Sequence, residues 1–211
     1  GSGITGTNLG PYTTGTMPSN TAASSGVSVP SNRFNDLNGY DWAEAAIYSL
    51  FDRDIVDGYG DGTFRPGDNV TREAFVKLIV TAFDIKNNGT AKEFSDVASD
   101  RWSHEYISAA ASAGIITGVA DAAFMPEAAI TRQDAAVIIY RALEYKGKTM
   151  SAGALTFTDS EKVSDYALEA VSALSGLGIV NGMDDGSIAP SGITSRAQAA
   201  VMIYRVISTL L

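Results

Sequence analysis

The sequence predicts an all-α protein: three helix-loop-helix repeats gathered as a pseudo-threefold trimer around a central three-helix bundle. Three observations carry this prediction. A hydroxyl residue followed by arginine occurs at Thr71-Arg72, Thr131-Arg132 and Ser195-Arg196, each time just ahead of an apolar pattern of helical period. The residues that follow align position for position: Phe75, Leu78, Ile79, Ala82 and Phe83 become Ala135, Ile138, Ile139, Ala142 and Leu143, then Ala199, Met202, Ile203, Val206 and Ile207. This i, i+3, i+4, i+7, i+8 spacing draws one broad apolar stripe along a 3.6-residue helix. Each copy also opens with Phe-x-Asp, at Phe34 and Asp36, Phe94 and Asp96, and Phe157 and Asp159. One helix pair cannot bury such a stripe, whereas three pairs share a core.

In chain order, residues 1–30 are rich in Gly, Ser and Thr and poor in large apolar side chains, the composition of an arm or linker. Repeats then occupy 31–90, 91–150 and 151–211. After Phe-x-Asp an aromatic residue, Trp42, Trp102 or Tyr166, starts the first helix of each repeat, whose apolar positions include Ile47 and Leu50, Ile107 and Ala110, and Val171 and Leu174. Gly58, Gly118 and Gly182 follow, suited to a helix-ending turn at positive φ, and Gly58 and Gly118 also suit close approach of backbone to a ligand. A turn then carries Pro66, Pro126 and Pro190, each two residues after Phe64, Phe124 or Ile188. Thr71, Thr131 and Ser195 cap the second helices, and Asp134 and Gln198 stand where a capping box places its third-position partner.

Composition bounds the function. The 211 residues are 45% hydrophobic and 18% charged, enough apolar content for a packed core. A formal net charge of -9 opposes a general nucleic-acid binder, which needs a basic face. The absence of Cys excludes disulfides, thiolate metal sites and a cysteine nucleophile. No apolar run approaches the ~20 residues that cross a bilayer, so no membrane insertion is expected.

Capping does not explain the arginines. Arg72, Arg132 and Arg196 fall at the first helical position, where a cation beside the positive helix end is unfavourable by about 0.3–1 kcal/mol unless an anion offsets it. An arginine fork beside free helix-start N–H groups suits a planar carboxylate. The alternative is an arginine that crosses to an acidic residue of a neighbouring repeat and staples the trimer. The segment Asp57–Asp68 places Asp57, Asp61, Gly62 and Asp68 at positions 1, 5, 6 and 12 of an EF-hand-like loop. Tyr59 occupies a ligand position and the other copies begin with Thr117 or Asn181, so these are turn residues and no metal is expected. His104 is the single histidine, and no carboxylate pair is placed across a cleft by the sequence, so no enzyme and no cofactor are expected.

Phe-x-Asp, an aromatic-led helix, Gly, an aromatic-x-Pro turn and a Thr-Arg-Ala-Glu-like motif, repeated three times from about residue 31 to the end, resemble S-layer homology (SLH) domains. The resemblance implies a secreted, three-pronged and monomeric module that anchors a surface protein to a Gram-positive cell wall or S-layer. Its grooves would bind a secondary cell-wall polysaccharide ending in pyruvylated N-acetylmannosamine, with the motif arginine meeting the pyruvate carboxylate. Carried over, the motif falls on Thr71-Arg72-Glu73-Ala74, Thr131-Arg132-Gln133-Asp134 and Ser195-Arg196-Ala197-Gln198. The expected carbohydrate-binding residues are Arg72, Arg132 and Arg196, the walls Trp42 and Trp102, and Gly58, Gly118, Thr71, Thr131 and Gln133. The third copy departs most, with Ser195, Gln198, Tyr166 for Trp, and one extra residue before Tyr166. The competing reading is a protein-interaction or self-assembly module that uses the same grooves.

Overall fold

The computed structural model describes residues 34–89, 93–119 and 122–210; the arm expected over 1–30 lies outside them. Six α-helices follow in order: α1 Asp41–Phe51, α2 Arg72–Ala82, α3 His104–Ser112, α4 Arg132–Tyr145, α5 Leu168–Gly176 and α6 Arg196–Leu210. Two short 3-10 turns, Ser160–Lys162 and Asp165–Ala167, lead into α5. There is no strand among the described residues, only the isolated bridges Asn69–Ser195, Thr71–Ala129 and Thr131–Ile193. The fold is all-α.

The second helices form the centre: α2 packs on both α4 and α6, and Phe75, Ile79, Ala135, Ile139, Ala199 and Ile203 are fully buried. The first helices do not pack on their own partners. Instead α3 lies on α2, α5 on α4, and α1 on α6. Each prong therefore joins two different repeats, and the α1–α6 prong closes the ring. Periodicity shows that each helix has an apolar face; it does not say whose face that one meets.

A cycle of three backbone hydrogen bonds holds the axis. The Val70 N–H donates to Thr194 O (3.0 Å), Ile130 N–H to Val70 O (2.9 Å), and Thr194 N–H to Ile130 O (3.0 Å).

The Phe-x-Asp motif has a local purpose. Each aspartate accepts two backbone N–H groups from the aromatic-x-Pro turn of its own repeat. Asp36 takes Phe64 and Arg65, Asp96 takes Phe124 and Met125, and Asp159 takes Ile188 and Ala189, all at 2.7–3.0 Å. The clamp holds Arg65, Met125 and Ala189 at φ of 57°, 59° and 49°, a left-handed backbone that costs a non-glycine residue on the order of 1–2 kcal/mol. The motif phenylalanine fixes the glycine. A Cβ at Gly118 would lie 2.7 Å from Ala123 O and 2.9 Å from Phe94 Cε1, and one at Gly182 would meet Phe157 and Ser187 O in the same way. This corrects the assignment of Gly58, Gly118 and Gly182 to helix ends. The first helices close earlier, at left-handed Asp54, Gly114 and Gly178, with the Ile55, Ile115 and Ile179 N–H groups donating back to Leu50, Ala110 and Leu174.

Candidate functional site

The helix starts that carry the motif are saturated. In repeat one, the N–H groups of Arg72 and Glu73 donate to Ala128 O and Pro126 O of the next repeat, and that of Ala74 donates to Thr71 Oγ1. Arg132, Gln133 and Asp134 repeat the pattern with Gly192 O, Pro190 O and Thr131 Oγ1, and Arg196, Ala197 and Gln198 with Asp68 O, Pro66 O and Ser195 Oγ. Thr71 and Thr131 are therefore caps, and the expected free amide cradle is absent from these helix starts. Only Gln198 completes a capping box, its Oε1 accepting from the Ser195 N–H. The Asp134 carboxylate is drawn instead to Arg72 and Tyr166.

Each motif arginine crosses to the next repeat. Nε of Arg72, Arg132 and Arg196 donates to the carbonyls of Phe124, Ile188 and Phe64 at 3.0, 2.9 and 2.8 Å. Arg72 Nη1 reaches Asp134 Oδ2 at 3.2 Å, Arg132 Nη2 donates to Asn181 O, and Arg196 Nη2 donates to Asp57 O. The Arg72 guanidinium lies 5.0 Å from the Phe124 ring centre and that of Arg196 lies 4.5 Å from the Phe64 ring centre. All three are buried. Burial pushes the Arg72 and Arg132 guanidinium groups below their ordinary range, opposed by Asp134 beside Arg72 and by Asp159 near Arg132. The arginines staple the ring, chiefly through carbonyl oxygens rather than through the acidic partners that a sequence search would seek.

Grooves form where these staples sit. The first open groove, about 390 Å³, is lined by Arg72, Ile115 through Val119, Asp134, Val137, Ile138, Arg141 and Tyr166. The second, about 710 Å³, is lined by Arg132, Ile179 through Asp185, Gln198, Val201, Met202, Arg205 and Trp42. The third position, beside Arg196, Asp57 and Phe64, is reduced to about 10 Å³. There Lys77 Nζ lies 3.0 Å from Asp57 Oδ2.

Of the expected residues, Arg72 and Gly118 line the first open groove, and Arg132 and Trp42 the second. Trp42 is 57% exposed, an aromatic face available to a ligand. Trp102 is half-buried and lines neither open groove. Gln133 is buried in a two-way bond with Ser164, its Nε2 donating to Ser164 Oγ and its Oε1 accepting the Ser164 N–H. Gly58 serves the Phe34 contact, and Arg196 belongs to the closed position.

Tyr166, Arg141 and Arg205 line the open grooves although none is among the expected binding residues. Tyr166 lines the first open groove opposite Arg72, and its hydroxyl donates to Asp134 Oδ1 at 2.7 Å. Burial and that carboxylate push the phenol up to about 12, so it stays a donor. Arg141 and Arg205 each stand nine residues after a motif arginine, and Thr81 takes that place in α2. That interruption is the signal that alignment of the copies contains.

Against known proteins, the model of one family, the S-layer homology domain, matches residues 33–76, 93–136 and 156–200. An amylopullulanase of Thermoanaerobacterium thermosulfurigenes is 40% identical over 81% of this chain and 9% of that protein. Exoglucanase XynX of Acetivibrio thermocellus is 39% identical over 87% of this chain and 17% of its own length. S-layer protein EA1 of Bacillus anthracis is 29% identical over 84% of this chain and 20% of its own. The chain thus spans a fifth or less of these relatives, and the enzymes among them share with it only a small part of themselves. With three family matches that coincide with the three stapled repeats, the chain belongs to the S-layer homology domain family.

Proposed function

We propose that this chain is a non-catalytic module that holds an exported protein at a bacterial cell wall by binding an acidic wall polysaccharide in its inter-prong grooves. The observation that carries this reading is the pair of open grooves, each combining arginines with an exposed or half-exposed aromatic ring and a glycine-containing loop. Such concave sites, partly apolar and carrying a few convergent polar groups, suit a small ligand. Relatives named as a cellulosome-anchoring protein and a surface-layer protein support a place at the cell surface. The ligand is a glycan that ends in pyruvylated N-acetylmannosamine: Trp42 and Tyr166 face the sugar ring, and the groove arginines face the ketal carboxylate. At a net charge of -9 the module gains little long-range attraction for an anionic polymer, so affinity comes from close contacts and changes modestly with salt.

Calorimetric titration with synthetic pyruvylated N-acetylmannosamine, beside the same sugar without pyruvate, tests the proposal. Binding that requires the pyruvate is the expected result. Equal binding of both sugars removes the carboxylate from the recognition, and silence toward both turns the grooves toward another glycan or a protein partner.

A further inference from the structure

The three groove positions differ in a way that separates structural arginines from recognising ones. The motif arginine is not what distinguishes an open groove from a closed one. Arg196 makes the same Nε bond to the turn carbonyl as Arg72 and Arg132, and the same kind of Nη2 bond as Arg132, although its groove is shut.

What differs lies on the second helices. Five residues after the motif arginine, α4 and α6 carry Val137 and Val201, whereas α2 carries Lys77; nine residues after it they carry Arg141 and Arg205, whereas α2 carries Thr81. Lys77 is buried, and its ammonium pairs with Asp57, which stands where the open grooves have Thr117 and Asn181. At this position, where the other two have a valine facing Thr117 or Asn181, the pocket beside Asp57 and Arg196 is only about 10 Å³. Arg141 and Arg205 sit half-buried in the walls of the open grooves. Among the described residues Arg141 has no hydrogen-bond or ion-pair partner, and Arg205 has a 3.3 Å bond to Ile179 O and contacts to the Asn181 amide. An arginine nine residues after the motif arginine thus occurs only where the groove is open, and the Arg141 guanidinium is less committed than that of a motif arginine.

Resting on the function proposed above, we infer that Arg141 and Arg205 are the residues that read the ligand carboxylate, and that the Lys77–Asp57 pair plugs the third groove. The module is then bivalent rather than trivalent. The motif arginines act as positioning residues that hold the loop against the helix.

The titration with pyruvylated N-acetylmannosamine also measures stoichiometry. Two sites per chain are expected in the wild type and one after either Arg141→Ala or Arg205→Ala, because loss of a charged hydrogen bond weakens its groove by about 10- to 100-fold. Lys77→Val with Thr81→Arg and Asp57→Thr copies the first open groove at these positions and is expected to raise the count to three. The Asp57 side chain is half exposed and Arg196 bonds only its backbone oxygen, so the variant keeps its fold as judged by circular dichroism. Three sites in the wild type, or two undiminished sites after both arginine replacements, overturn the inference while leaving wall binding intact. A wild type silent toward the sugar overturns the proposed ligand instead.

The assignment of roles is then read without ligand, by mass spectrometry after phenylglyoxal labelling. Arg141 is expected to react well ahead of Arg72, Arg132 and Arg196. Equal labelling of the motif arginines and Arg141 overturns the inference whatever the sugar does.

Discussion

Replacing Thr194 by valine is expected to stabilise the fold, because the hydrogen-bonded ring on the axis contains one polar side chain with nothing to bond. Val70, Ile130 and Thr194 occupy equivalent positions, and their side chains are 2%, 0% and 0% exposed. The ring uses their backbone groups, while Thr194 Oγ1 is buried without a hydrogen-bond partner. A buried unsatisfied hydroxyl costs about 1–3 kcal/mol, and valine keeps nearly the same shape while removing it. The expected gain is about 1–2 kcal/mol, which for a chain of this size raises Tm by about 2–8 °C. Thermal melts and urea titrations check this, with the midpoint rising and the slope unchanged. The reciprocal Val70→Thr, which adds a second hydroxyl to the same ring, is expected to lower stability by about 1–3 kcal/mol. A Thr194→Val protein that melts lower than the wild type refutes the reasoning, since the hydroxyl must then have been satisfied.

Four further outcomes follow from the geometry. Gly118→Ala places a Cβ against Ala123 O and Phe94 at a φ of 86°, so urea unfolding is expected to show a loss of about 2–4 kcal/mol. Gly89→Ala, at a φ of 78° in open space, is expected to lose about 1 kcal/mol. Glu73 is buried and accepts from Arg101 Nε and Nη2 at 2.7 and 2.9 Å and from the Ser103 hydroxyl at 2.6 Å. Glu73→Ala is expected to cost about 2 kcal/mol by chemical denaturation, less than a fully buried pair because Arg101 is partly exposed and keeps Glu127. Asp96 is held below the usual carboxylate range: slight burial works against this, but the Phe124 and Met125 N–H groups outweigh it. Its folded pKa being depressed, its contribution is full above the unfolded value near pH 4 and is lost as pH falls through the folded value. The Tm gap between wild type and Asp96→Asn should therefore shrink as pH falls below about 4.

Side-chain periodicity carried the helices well, because a stripe such as Ala135, Ile138, Ile139, Ala142 and Leu143 is written in one stretch of chain. It carried neither the exchange of prong partners nor the fate of the arginines. Arg72, Arg132 and Arg196 find backbone carbonyls 52, 56 and 132 residues away, and a carbonyl has no letter in the sequence. The helix-start amides looked available for the same reason, since Pro126, Pro190 and Pro66 offer their oxygens only once the ring has closed. Trp102 drew attention by residue type, whereas the groove wall was supplied by Tyr166 in the most divergent repeat. Lys77 carries a signal that the apolar stripe alone does not read: aligned copies put a lysine where the others have valine.

The grooves also explain why three repeats are needed. The first open groove takes Arg72 from repeat one, its loop and α4 from repeat two, and Tyr166 from repeat three. The second takes Arg132 from repeat two, its loop and α6 from repeat three, and Trp42 from repeat one. No pair of repeats contains all the walls of either groove, and the first aromatic reaches the last loop only because α1 packs on α6. Each groove is therefore a product of the closed ring. The closure does not depend on an open groove, since Arg196 staples repeat three to repeat one through Phe64 O and Asp57 O while Lys77 pairs with the Asp57 carboxylate. If Arg141 and Arg205 read the ligand as inferred above, the staple and the recognition fall to different arginines, and substitutions on α2 such as lysine in place of valine at position 77 change a groove while the staple that holds the ring stays in place.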